Sequence, residues 1–120
     1  MTSPDDKAAF YVVEDEIPVV VVENEVDFAS APVFAAALDQ ATAAAPTVVV
    51  DLSECPFMDS SGLQVLLKAQ KPGIRLALTC VPDGSVARLI DIAARDLVDM
   101  HESRDAAVAA LTGDTGRPVS

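Results

Sequence analysis

The sequence predicts an α/β fold: a mixed, mostly parallel sheet of about five strands with four helices and an antiparallel hairpin at the start. Three observations carry this prediction. Short β-branched runs alternate with longer segments of helical spacing. The links between them are brief, so strands joined through a helix run parallel with right-handed crossovers. The first two β runs have no helix between them, and their tight connection makes them a hairpin.

Phe10 to Val13 and Val19 to Glu23 are the hairpin strands, joined by the acidic connection Glu14 to Pro18. A helix follows over Ser30 to Ala44, with Ser30 as its N-cap and Pro32 in its first turn. Val33, Phe34, Ala37, Leu38 and Ala41 share one face of it, and Ala45-Pro46 ends it. "TVVVDLS", from Thr47, fits a strand covered on both sides. The next helix runs through "SSGLQVLLKA" and closes at Pro72-Gly73. "IRLALTC" is a strand, and "GSVARLIDIAA" a helix with Val86, Leu89, Ile90 and Ala93 on one stripe. A short strand at Leu97 to Met100 and a helix from about Arg104 to Leu111 complete the fold. Residues 1–112 thus read as one domain, with 113–120 as a flexible tail.

Charge and composition exclude several function classes. The 120 residues carry a formal net charge of −11, with only eight Lys and Arg, scattered along the chain. Nucleic-acid binding through phosphate neutralisation needs clustered cations, and anionic membranes repel such a chain. A basic or mixed-charge protein surface is the partner that this charge favours. No apolar run approaches the length of a membrane span, and the acidic N-terminus has no signal region, so a cytoplasmic protein is expected. Two cysteines and one histidine give no metal-ligand spacing, and no cofactor is expected.

The segment "CPFMDSSGLQVLLKA" holds the candidate chemistry. Asp59, Ser60 and Ser61 can each cap the helix that follows, and Ser61 with Gln64 has capping-box spacing. Only one can be the cap, which leaves a hydroxyl exposed on the lip of the helix beside Gly62, whose missing side chain permits close approach.

A response-regulator receiver domain is the decoy. Asp51 ends a β run as a phospho-acceptor aspartate would, "YVVEDE" resembles a receiver's acidic pair, and Lys71-Pro72 resembles its lysine turn. Yet Glu16 precedes Ile17, Pro18 and four valines, which prefer a strand, so the acids lie in a hairpin turn. Lys71 lies at a helix C-terminus, where a cation is favoured without any phosphoryl group. An enzyme with Ser60 as nucleophile and His101 as base is also disfavoured, because no Gly-x-Ser-x-Gly elbow surrounds the serine.

"VVVDLSECPFMDSSGLQVLLKA" resembles the central motif of the STAS domain in bacterial anti-sigma factor antagonists: a strand ending in Asp, a short loop, then Asp-Ser-Ser/Thr-Gly-Leu opening a helix. "ENEVDFASAPVF" and "GSVARLI" resemble further segments of that family, so the likeness spans Phe10 to Leu111. The resemblance implies a non-enzymatic partner switch in transcription regulation under stress. In that family the serine after the motif Asp is phosphorylated by the anti-sigma factor, a serine-protein kinase of the histidine-kinase-like ATPase type, and a phosphatase resets it. Carried over, the acceptor is Ser60, with Ser61 as the alternative, and Asp59 caps the helix and contacts the partner. Asn24, Glu25, Asp27 and Gly62 join the docking surface by the same resemblance; Asn24 stands where the family has glycine, and asparagine tolerates a left-handed turn. A stressosome-type scaffold module without a switch is the rival within the family. Cys55 follows one strand and Cys80 ends the next, which would place both thiols at one sheet edge and allow a redox bridge, although two reduced thiols are favoured in the cytosol.

Overall fold

The computed structural model describes residues 9–93 and 98–113. In chain order these form β1 (Ala9–Glu14), β2 (Ile17–Val22), α1 (Ala31–Ala44), β3 (Thr47–Leu52), α2 (Ser60–Ala69), β4 (Arg75–Cys80), α3 (Ser85–Ala93), β5 (Asp99–His101) and α4 (Arg104–Gly113). The strands lie side by side in the order β1-β2-β3-β4-β5; β1 is antiparallel to β2, and the other pairs are parallel. The predicted mixed sheet with an N-terminal hairpin is therefore present. Of the predicted tail, 114–120 lie outside the described residues, as do 1–8, and Gly113 is the last residue of α4.

The hairpin is tighter than the sequence suggests. Glu14 pairs with Ile17, so β2 begins at Ile17, and the turn is the two residues Asp15 (φ 51°) and Glu16 (φ 69°). Two successive positive φ values match the twist of the flanking strands. Pro18 lies inside β2, one residue before pairing with β3 begins at Val19, so its missing N–H takes nothing from that ladder. The last strand is displaced as well: it spans Asp99–His101, and Leu97 of the expected segment lies outside the described residues.

Side-chain alternation divides the core in two. Val20, Val22, Val48, Val50, Leu76 and Leu78 point to the face covered by α1, α2 and α3, where Phe34, Leu38, Leu66 and Ile90 pack against them. Val19, Val21, Val49 and Ala77 point the other way, against Ala107, Val108 and Leu111 of α4. Consecutive parallel strands joined by crossovers of one hand place all their helices on one face, which leaves the second face to α4. Both faces are covered, so β2 and most of β3 are buried throughout. Each fully buried Val, Leu or Phe contributes roughly 1.5–3 kcal/mol relative to exposure.

Candidate functional site

The loops after β2 and β3 emerge at the same end of the sheet and are joined there. Val26 forms a parallel bridge with Met58, its N–H donating to the Phe57 carbonyl at 2.9 Å, while the Asp59 N–H donates to the Val26 carbonyl at 3.0 Å. This join fixes where α2 begins. Asp59 is extended at the N-cap, and its carboxylate accepts from the N–H groups of Ser61 at 2.8 Å and Gly62 at 3.4 Å. Asp59 is thus the cap among the three candidates, and both serine hydroxyls are released from that duty. Ser60 is exposed at the tip and Ser61 half-buried.

Gly62 does something other than border an open lip. It is buried, and a Cβ built on it would lie 2.6 Å from Met58 Cγ and 2.8 Å from Val26 Cγ1. The glycine admits the two side chains that hold the loops together, so its close approach is inward.

The first loop differs from expectation at two residues. Ser30 makes no side-chain cap to α1. Instead the Asp27 N–H donates to Ser30 Oγ and the Ser30 N–H donates to Asp27 Oδ1, both at 3.0 Å, a reciprocal pair that starts the turn one step earlier. The Ala31 N–H already donates to the Asp27 carbonyl at 2.8 Å, which is why Asp27 takes the capping role. Hydrogen bonds from Ser30 hold the Asp27 carboxyl below its ordinary range. Asn24 is not left-handed, since positive φ among the described non-glycine residues occurs at Asp15, Glu16 and Asp83. Asn24 and Glu25 are exposed beside the motif loop.

Two aromatic residues belong to this surface although the sequence marks neither. Phe28 is 82% exposed and Phe57 45% exposed, each in one of the two joined loops. Exposed aromatics beside a free hydroxyl are what a protein-docking surface presents. Beyond the motif loop, the Ser85 hydroxyl at the start of α3 donates to the Pro56 carbonyl at 3.1 Å.

Asp51 stands apart from this surface. It is 4% exposed, on the face covered by α4, and its carboxylate accepts from Arg104 Nε at 2.9 Å and from the backbone and hydroxyl of Ser53. Burial pushes its pKa up, but the bonds from Ser53 and Arg104 outweigh it and leave the carboxyl below its ordinary value. A carboxylate so occupied is a poor phospho-acceptor, and Lys71 lies at the far end of α2, so the receiver-like arrangement is not assembled. His101 pairs in register with Thr79 on the α4 face, whereas Ser60 opens a helix on the opposite face; the two are not brought together.

Cys55 and Cys80 are both free, buried and part of one core cluster. Burial pushes both thiols up; the Cys55 thiol donates to the Phe57 carbonyl at 3.3 Å, which ties it to the motif loop. Among the described residues no helix is long and apolar enough to cross a membrane.

A family model described as "Mlab, STAS domain" matches residues 10–99. No curated protein matches the chain significantly. Solved structures do. An anti-sigma factor antagonist from Mycobacterium paratuberculosis superposes with a TM-score of 0.79 at 24% identity, over 93% of this chain and 99% of that one. The anti-sigma factor antagonist SpoIIAA in its unphosphorylated form gives 0.65 at 20% identity, over 92% and 100%. A protein of Thermotoga maritima gives 0.72 at 17% identity, over 89% and 97%. At these identities the likeness establishes a shared fold.

Proposed function

The chain belongs to the STAS domain family, and from that premise we propose that it is an anti-sigma factor antagonist whose docking is switched by phosphorylation of Ser60. It binds a serine-kinase anti-sigma factor when unphosphorylated and so frees the sigma factor. Phosphorylation by that kinase ends the binding, and a phosphatase restores it. The chain is the kinase's substrate and performs no catalysis of its own.

One observation carries the reading: Ser60 is the first residue of α2, exposed, and excused from capping because Asp59 already fills that role. A kinase therefore meets a hydroxyl on a rigid helix end whose modification leaves the helix intact. The folds shared with anti-sigma factor antagonists support the same reading. Phosphorylation adds roughly −1.5 to −2 charges at pH 7. The positive end of the helix tolerates them. The interface does not, because the phosphate lies beside the Asp59 carboxylate and must be desolvated with it, and like charges so placed cost several kcal/mol. Asn24, Glu25 and Asp27, in the loop bonded to the motif, and Ser61 on the next step of the helix, complete the docking surface in this reading.

The test is incubation with purified serine-kinase anti-sigma factors of the source organism and ATP, followed by mass spectrometry. Ser60→Ala should abolish labelling and keep binding; Ser60→Asp should weaken binding. Labelling at Ser61 alone would move the acceptor by one residue, and equal binding of Ser60→Asp and wild type would end the switch account.

A further inference from the structure

Beside Ser60 a groove of about 370 Å³ opens between α1 and α2. Its walls are small and apolar, Ala31 and Ala35 from α1 and Val65 and Ala69 from α2, with Phe28 and Ser61 at its mouth. Both helices follow parallel strands on one face of the sheet, so they run side by side with their N-termini at the Ser60 end. From Ser61 to Lys68 the groove wall is about 10 Å long at the rise of an α-helix, close to two turns.

The charges along it run against the rest of the molecule. The chain has 19 Asp and Glu against eight Lys and Arg, yet two of its three lysines, Lys68 and Lys71, line this one groove, where Asp39 is the only acid among the described residues. Among the described residues no carboxylate forms an ion pair with either lysine. The acidic lip at Glu25, Asp27 and Asp59 lies at the other end. A partner laid along this surface therefore meets negative charge at the loops and positive charge at the far end of the groove.

We infer that the groove between α1 and α2 receives an amphipathic helix of the anti-sigma factor, apolar toward Ala35 and Val65 and bearing carboxylates toward Lys68 and Lys71. This rests on the reading above and specifies which face of the partner it requires. A free anion would engage the lysines but leave Phe28 and the apolar walls unused. A purely basic segment would fit the lip and be repelled by the groove. An apolar helix with acidic flanks uses both, and the opposite polarity of lip and groove fixes its direction.

The experiment measures binding to the purified serine-kinase anti-sigma factors by titration calorimetry, with the rate of Ser60 labelling alongside. Lys68→Glu is expected to weaken binding by about tenfold and to raise the KM for labelling while leaving kcat unchanged. Phe28→Ser is expected to weaken binding similarly. Arg75→Glu makes the same charge change at the start of β4, outside the lining of the groove, and should stay within about twofold of wild type. Lys68→Glu matching Arg75→Glu, with wild type bound and labelled, would overturn the groove assignment alone. A wild-type chain that none of these kinases binds or labels overturns the functional reading and this inference with it.

Discussion

Arg104 Nε lies 2.9 Å from Asp51 Oδ2, joining the first residue of α4 to the buried end of β3 across 53 residues. The same guanidinium reaches Glu14 Oε2 at 2.8 Å, at the end of β1. One side chain thus ties the helix on the second face to both the hairpin and the strand that leads into the motif loop. Those bonds raise the Arg104 pKa and keep the guanidinium charged.

Removing this cation should make stability depend on pH in a defined direction. Asp51 has a lowered pKa in the folded chain, so its contribution is present above its unfolded value near 3.8 and fades as pH falls through the folded value. Arg104→Met leaves Asp51 buried without its cation. Because the Arg104 side chain is 33% exposed, the loss is discounted from the fully buried case to about 2 kcal/mol at pH 7. At pH 3 the gap to wild type should narrow, since a protonated Asp51 needs no cation. Urea denaturation at both pH values reads this, and an equal gap would refute the pairing's role.

Gly62→Ala should destabilise the chain even though alanine is the better helix former. Propensity favours the substitution by about 1 kcal/mol. The new methyl, however, would overlap Met58 Cγ and Val26 Cγ1, and overpacking of this kind costs about 1–3 kcal/mol. A net loss of up to about 2 kcal/mol by urea denaturation is expected, and Val26→Ala in the same chain should recover part of it. A more stable Gly62→Ala would show that the loop junction yields freely.

Local chemistry made much of this legible in sequence. Every predicted helix and strand is present, with β2 and β5 displaced by up to two residues, because Pro46, Pro72-Gly73 and the "DSSG" entry punctuate the chain strongly. What sequence left open depends on contacts between distant segments. Asp27 and Ser30 are both good caps three residues apart, and the turn that begins at Asp27, next to the Val26–Met58 bridge, decides between them. Phe28 and Phe57 carry an apolar side chain that any pattern reading sends to the core, so their exposure could not be foreseen. Arg104 gives no local sign that it will cross the sheet to Asp51. Thr79 is wholly buried in β4 with its hydroxyl unbonded among the described residues, and nothing in the structure explains why valine does not stand there.

Glu16→Gly should stabilise the hairpin. Glu16 adopts φ 69° in a turn whose second position favours glycine, and a non-glycine residue in that region costs roughly 1–2 kcal/mol. Glycine removes this cost but adds freedom to the unfolded chain, so a net gain of about 0.5–1 kcal/mol is expected. Glu16 is exposed, so no packing is lost. An unchanged or lower midpoint in thermal unfolding would mean that the turn relaxes at no cost.

Asp59 has two separable duties, and a pair of substitutions divides them. Its carboxylate caps α2 through Ser61 and Gly62, and in the proposed switch its charge lies beside the phosphate on Ser60. Asp59→Ala loses both and should cost about 1 kcal/mol of stability, the usual penalty for a lost cap. Asp59→Asn keeps an oxygen that accepts from the same N–H groups, so its stability should stay within about 0.5 kcal/mol of wild type. What it removes is the charge. If repulsion between carboxylate and phosphate drives release, phosphorylated Asp59→Asn should hold its kinase more tightly than the phosphorylated wild type. The unphosphorylated forms should differ far less. Comparing the ratio of phosphorylated to unphosphorylated Kd in the two chains measures this, and equal ratios would locate the penalty in the bulk of the phosphate instead of its charge.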